Sequence, residues 1–169
     1  MTKVLILSDS HGLTEEVTAI KNRHRLEYMI HCGDSELEMD APELQGFFKV
    51  GGNTDMDTRF PNEQRVQIEN LTFFVVHGHL HQVKAGLAPL SYRAEEEGAK
   101  VACYGHTHVA GVEKVGNQLC INPGSIRQPR SRPEKTYAII EWDNSNQVDV
   151  TFYTTDGEPV EDLHYRGTL

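Results

Sequence analysis

Lys3-Val4-Leu5-Ile6-Leu7-Ser8-Asp9-Ser10-His11-Gly12, residues 3–12, is the stretch from which the fold can be read. Val4 to Ser8 is a short apolar run with a β-branched bias, which predicts a buried strand. The run gives way at once to Asp9 and His11 rather than to a small-residue cleavage site, so it does not read as a signal peptide. No apolar run in the chain approaches the ~18–20 residues that a membrane span requires. No membrane partner and a cytoplasmic location are the resulting expectations.

The same punctuation, an apolar strand ending in a glycine beside an Asp, Asn or His, recurs along the chain. Tyr28 to His31 leads to Gly33-Asp34, and Phe47 to Val50 leads to Gly51-Gly52-Asn53. Phe73 to Val76 leads to His77-Gly78-His79, and Val101 to Tyr104 to Gly105-His106-Thr107-His108. Between the first two strands Thr14 reads as a helix N-cap, with Glu15 and Glu16 in the first turn and Val17 and Ile20 on an apolar face. The acidic stretch Glu36 to Leu44 reads as a second helix, and Val83 to Glu97 as a third in which Pro89 marks a break or a start. Three hairpins are expected later, turning at Glu69-Asn70, Gly116-Asn117 and residues 143–146. Parallel-type units followed by hairpins predict an α/β fold of two mixed β-sheets packed together with helices outside, in a single domain over residues 1–169.

The chain has 169 residues and a net charge of −9. That balance argues against a protein that grips long nucleic acid through its phosphates. Three cysteines, Cys32, Cys103 and Cys120, lie in apolar segments without CxxC spacing. They read as reduced, buried thiols. Of nine histidines, six fall in three groups: His11; His77, His79 and His81; His106 and His108.

Taken singly these motifs are ordinary. A strand-end Asp is a common turn residue, Gly-Asp is a routine turn pair, and Asn tolerates the left-handed backbone. Two histidines two apart on an extended segment face the same way, which is a stronger signal. Together, strand ends in one sheet converge on one edge, where glycines let the backbone come close. Asp9, His11, Asp34, Asn53, His77, His106 and His108 form a set of N and O ligands without sulfur. Such a set suits manganese, iron, zinc or similar divalent ions. Seven ligands are too many for one ion with an open site and suit two ions sharing a carboxylate.

In this order the motifs resemble those of the calcineurin-like metallophosphoesterase superfamily: DSH at Asp9–His11, GD at Asp34, GN at Asn53, HGH at His77–His79 and GHTH at His106–His108. The short length and Asn122-Pro123-Gly124-Ser125 are similar to its small bacterial and archaeal branch, the YfcE/YsnB-type phosphodiesterases. The resemblance implies a four-layer α/β/β/α sandwich. It gives one metal to Asp9, His11 and His108 and the other to Asn53, His77 and His106, with Asp34 bridging. It also implies a dinuclear-metal-dependent phosphodiesterase in which a metal-bridging hydroxide attacks phosphorus. Asp34, Asn53 and His79 are the expected catalytic residues, with manganese foremost among the two divalent ions and iron, zinc, nickel or cobalt as alternatives. The expected substrate is a small phosphodiester or nucleotide-like molecule.

One departure stands out. Many members of the superfamily place a histidine directly after GN, where it can protonate a leaving group or hold the phosphate. Thr54 stands there instead. Its hydroxyl can donate a hydrogen bond but no proton near neutral pH, so acidic leaving groups are favoured and His79 is the candidate stand-in. Thr54 and Arg127 are the expected substrate contacts, Arg127 belonging to a cluster with Arg130 and Arg132 that could hold a second phosphate. A phosphomonoesterase or nucleotide pyrophosphohydrolase using the same site is the nearest alternative. A non-catalytic scaffold on the same fold, like the phosphoesterase-like subunit of retromer, is the alternative from another class. The apolar C-terminal hairpin suggests pairing into a homo-oligomer.

Overall fold

The computed structural model describes residues 1–169. One sheet holds β1 (Thr2–Leu7), β2 (Tyr28–His31), β3 (Phe47–Lys49), β9 (Thr136–Trp142), β10 (Gln147–Thr154) and β11 (Tyr165–Thr168), in the order β11-β10-β9-β1-β2-β3. The other holds β4 (Glu63–Ile68), β5 (Leu71–Val76), β6 (Val101–Cys103), β7 (Gly111–Val115) and β8 (Gln118–Asn122), in the order β4-β5-β6-β8-β7. Both sheets are mixed. β1, β2 and β3 run parallel to one another, as do β5, β6 and β8, and the remaining pairings are antiparallel.

The layering follows from the pleat. Successive side chains of a strand point to opposite faces, so a strand buried on both faces must be apolar throughout. In β1, Val4 and Ile6 enter the core between the sheets, while Leu5 and Leu7 face helix α1 (Glu15–His24) through Val17 and Ile20. In β5, Phe73 and Val75 face the first sheet, while Phe74 and Val76 face helix α2 (Ala88–Glu96) through Leu90 and Ala94. Three separate apolar clusters therefore fill the spaces of an α/β/β/α sandwich. The middle one is the largest, with 21 buried residues. A fully buried Val, Leu, Ile or Phe contributes about 1.5–3 kcal/mol, so this layer is the main source of stability.

Helix α1 starts after Thr14 as expected, although no side-chain capping bond forms there, and it ends at Arg25 in the left-handed conformation. Pro89 stands in the first turn of α2, where its missing N–H costs nothing. The three hairpins lie where the sequence predicts them.

The helix expected over Glu36 to Leu44 is absent; only a 3-10 turn forms, at Pro42–Leu44. Its backbone N–H groups go elsewhere: Glu36 N donates to Asp55 Oδ1 and Met39 N to Asp57 Oδ2, both at 2.8 Å. Glu36 also sits at φ 58°, outside the helical region, and Pro42 closes the segment. The C-terminal strand β11 was not expected. It pairs along β10, so the hairpin proposed for subunit pairing is already covered on that side. No helix is long and apolar enough to cross a membrane.

Candidate metal centre

The strand ends bring the seven candidate ligands together. Leu7 pairs with His31 and His31 with Lys49, so the chain leaves β1, β2 and β3 at one edge. Hydrogen bonds then tie the segments beyond: Asp9 N to Gly33 O at 3.0 Å, His11 N to Asp34 O at 2.9 Å, and Gly105 N to His77 O at 2.9 Å. The two sheets meet at glycines. A Cβ at Gly105 would collide with Ser8 Oγ and Asp9 Oδ2, and one at Gly33 with the His77 ring. Five of the ligands stand in the left-handed region: Asp9 (φ 53°), His11 (41°), Asp34 (58°), His106 (69°) and His108 (62°).

Two overlapping groups result, Asp9–His11–His108 and Asp9–Asp34–His77, each with ligand atoms close enough to surround a cation. Asp9 Oδ1 lies 3.1 Å from His108 Nε2, 3.6 Å from His11 Nε2 and 3.8 Å from His77 Nε2. Asp34 Oδ2 lies 3.0 Å from His77 Nε2 and 3.9 Å from His11 Nε2. His106 Nδ1 faces Asn53 Oδ1 at 3.1 Å, and the His77 and His106 rings are 5.1 Å apart. All seven predicted ligands thus form one connected set.

The set fits divalent cations on its own geometry. Asp9 Oδ1 and His77 Nε2 are buried, yet despite their near neighbours neither has a hydrogen-bond partner. Orphaned buried polar atoms are costly, and these converge on a common space rather than on one another. The opposite nitrogens are already engaged. His77 Nδ1 donates to Cys32 O and His108 Nδ1 to Gln128 O, both at 2.7 Å, while His11 Nδ1 meets the Glu36 carboxylate. This fixes the ring orientation, so each Nε2 turns inward and would offer its lone pair to a cation that displaces the proton.

The electrostatics agree. Burial alone would raise the Asp9 carboxyl, but His108, His11 and His77 hold it far below the ordinary range. Burial likewise opposes ionisation of Asp34, and His77 with the Thr54 amide outweighs it. Pairing with Asp9, supported by Glu36 against the cost of burial, raises His11 to about 9. Burial lowers His77, but Asp34 and Asp9 more than reverse this. His106 has no such partner, and burial beside His77 pushes it down to about 4. The anionic charge is concentrated on two carboxylates in the middle of the histidines, where cations would stand.

Two functional residues escaped the sequence reading. Asp55 Oδ2 accepts from Asp34 N at 2.8 Å and Gly52 N at 2.7 Å, while its Oδ1 holds Glu36 N. It clamps the ends of β2 and β3 together and presents Glu36 to His11. Asp55 stands two residues after Asn53, which was the available signal; Glu36 was hidden by the mistaken helix. Glu36→Gln is expected to weaken divalent-metal binding at the His11 side by about 10–100-fold, the range for a lost carboxylate–histidine contact. Titration calorimetry with Mn²⁺ checks this, and unchanged affinity would remove Glu36 from the site.

Asn122 and Ser125 complete the frame. Asn122 Nδ2 donates to Gly105 O at 3.2 Å, and Ser125 Oγ to Asp9 O at 2.8 Å. His79, half-buried on a 3-10 turn, has its ring 5.4 Å from His77 and 6.1 Å from His106. Thr54 N donates to Asp34 Oδ1 at 3.0 Å, and its hydroxyl reaches Glu36. Arg127 is exposed and its Nη1 donates to the His11 carbonyl. Arg130 reaches the site only through its backbone N–H, on His108 O. Arg132 turns away to pair with Glu134 and Asp162, so the expected three-arginine cluster does not form. His31 is fully buried and bonded to Ser10, and His81 pairs with Glu63, which are structural roles.

Residues 2–145 match the calcineurin-like phosphoesterase superfamily domain. The chain is 48% identical over 168 residues to the probable metallophosphoesterase YsnB of Bacillus subtilis, covering 98% of this chain and 99% of that protein. It is 31% identical to the phosphodiesterase YfcE of Escherichia coli, covering 85% of this chain and 89% of YfcE. The crystal structure of a conserved predicted phosphoesterase from Streptococcus pneumoniae superimposes with a TM-score of 0.94 at 33% identity, covering 99% of this chain and 98% of that one.

Proposed function

The chain belongs to the calcineurin-like phosphoesterase superfamily and is a metallophosphoesterase with a dinuclear site built from histidines and aspartates; from that premise we propose that it is a manganese-dependent hydrolase of small phosphodiesters. The observation that carries the reading is the pair of buried ligand atoms left without a hydrogen bond, Asp9 Oδ1 and His77 Nε2, inside a ring of oriented imidazoles. In this reading Asp9, His11 and His108 would hold one cation and Asn53, His77 and His106 the other, with Asp34 a ligand available to both. Two such cations supply Lewis acidity toward phosphoryl oxygens and lower the pKa of a water to near neutrality.

The chain's own residues do the rest. The Asp9 and Asp34 carboxylates would supply the anionic ligands, and Thr54, on the amide bonded to Asp34, offers a hydroxyl to a phosphoryl oxygen. His79 offers an N–H toward the leaving group but stands outside the ligand set. Arg127, crossing the His11 carbonyl, adds a positive charge at the rim. Thr54 bears on the leaving group: with a hydroxyl where a proton donor could stand, acidic leaving groups react best. YfcE, named a phosphodiesterase, supports the choice of diesters. The whole chain, residues 1–169, acts as one domain, since β11 at the C-terminus completes the sheet that carries Asp9. Three free, buried cysteines suit the reducing cytoplasm.

The test is to strip the protein with chelator, restore Mn²⁺, and compare bis-p-nitrophenyl phosphate with p-nitrophenyl phosphate. Metal-dependent turnover favouring the diester is expected, and Thr54→His should speed esters with poor, alkoxide leaving groups more than the aryl diester. A monoester preference would overturn the diesterase reading. Stoichiometric metal uptake without turnover of either ester would favour the scaffold.

A further inference from the structure

Beside the metal centre lies a cavity of about 500 Å³, a volume suited to a nucleotide-sized group. Gly12, Glu16, Arg127, Gln128, Lys135 and Thr155 are among the residues that line it. Its position is tied to the metal ligands through the backbone. Gly12 follows His11, the Arg127 guanidinium donates to the His11 carbonyl, and the Gln128 carbonyl holds His108 Nδ1. The guanidinium passes over Gly12, where a Cβ would stand 4.0 Å from Nη1.

The two cations of this cavity are not neutralised by the protein. Neither Arg127 nor Lys135 enters an ion pair, whereas Arg59, Arg93, Arg132 and Arg166 all do. Arg127 spends its one side-chain hydrogen bond on His11, so the rest of its planar donor fork is free for an oxyanion. Glu16, on the exposed first turn of α1, is the only acidic group in the lining and works against an anion.

We propose that this cavity is an anion subsite that takes a second phosphate of the substrate, Arg127 and Lys135 binding it while the scissile phosphate lies at the metal centre. This deepens the phosphodiesterase reading and rests on it. It defines the substrate class as a diester carrying a further phosphate, as at the end of an oligonucleotide or in a dinucleotide. An acidic protein thereby selects a more highly charged substrate. The attraction is local, confined to one cavity and to the cations beside it.

Two experiments separate this from the reading beneath it. The first is binding of thymidine 3′,5′-bisphosphate and thymidine 5′-monophosphate to the Mn²⁺-loaded protein by titration calorimetry. The bisphosphate should bind about tenfold more tightly, the advantage expected of a charge-assisted pair. Lys135→Gln and Arg127→Gln should each remove most of that advantage, and Glu16→Gln should increase it. Equal binding of the two nucleotides, or an advantage indifferent to all three variants, would overturn the subsite.

The second uses the p-nitrophenyl ester of thymidine 5′-phosphate with and without a 3′-phosphate, at a fixed Mn²⁺ concentration. The 3′-phosphorylated ester should show the lower KM, and the ratio of the two KM values should collapse in Lys135→Gln. Equal KM values for the two esters in the native protein, with both turned over, sink the subsite alone. Failure to hydrolyse either ester, with the binding preference intact, sinks the diesterase reading and leaves the subsite standing.

Discussion

Asp34→Asn is expected to reduce turnover of bis-p-nitrophenyl phosphate by about 10³-fold or more and to lower metal content from two ions per chain to one or none. The substitution is nearly isosteric, and the remaining Oδ1 can still accept the Thr54 amide, bonded at 3.0 Å in the native protein. The loss is therefore of charge and lone pairs, not of shape. Asp34 Oδ2 is the nearest anion to His77 Nε2, at 3.0 Å, and stands 3.9 Å from His11 Nε2 on the other side of the site. An amide nitrogen there cannot ligate a cation and leaves His77 without its compensating charge. Losing one of two catalytic ions forfeits several kcal/mol of transition-state stabilisation, and each 1.36 kcal/mol is tenfold in rate. Metal content by plasma mass spectrometry, measured beside the rate, decides the matter. Full metal content with lost activity would mean that Asp34 acts otherwise than as a shared ligand.

Gly105→Ala carries the second large effect, and it works through packing. The new Cβ would overlap Ser8 Oγ and Asp9 Oδ2, both on fully buried residues. Neither neighbour can swing aside: Ser8 Oγ donates to Asp9 Oδ2 at 2.6 Å, and the same Oδ2 accepts from His106 N at 3.1 Å. Relief requires β1 and β6 to part at their carboxyl ends, where the sheets approach. Overpacking of this kind costs about 1–3 kcal/mol. Urea denaturation of the chelator-treated variant should show that loss, and the ligands displaced with Asp9 should bind Mn²⁺ much more weakly. A variant of native stability and affinity would mean that the sheets are not held together at this glycine.

Much of this architecture was legible before any coordinates, for definite reasons. Val4–Leu7 and Phe73–Val76 are apolar at every position because both faces are buried, and such runs are hard to mistake. The ligand set was legible because each member closes a strand beside a glycine, so order along the chain becomes adjacency along one edge. Glu36–Leu44 misled because its composition suits a helix, while its amides are taken by Asp55 and Asp57, some twenty residues away. Local propensity carries no information about such distant acceptors. Arg132 was assigned to a phosphate-holding cluster because it is near Arg127 in sequence, but its partner Asp162 lies 30 residues on. Tyr165–Thr168 has too few apolar residues to announce a strand, and β10 supplies the pairing that makes it one.

The left-handed backbone at Asp9, His11, Asp34, His106 and His108 bears on the protein's evolutionary prospects. A non-glycine residue in such a sparsely populated conformation costs on the order of 1–3 kcal/mol, so five together approach the ~5–15 kcal/mol net stability of an ordinary domain. Asp, Asn and His tolerate the conformation better than other side chains, which sets the cost toward the lower end of that range. Selection for catalysis holds these side chains against a standing thermodynamic pull toward glycine or asparagine. In a lineage released from that selection, replacement by glycine would relieve the backbone cost at each position, against the loss of the hydrogen bonds and ion pairs the side chain makes. The sandwich would outlast its chemistry, leaving a robust shell open to other employment.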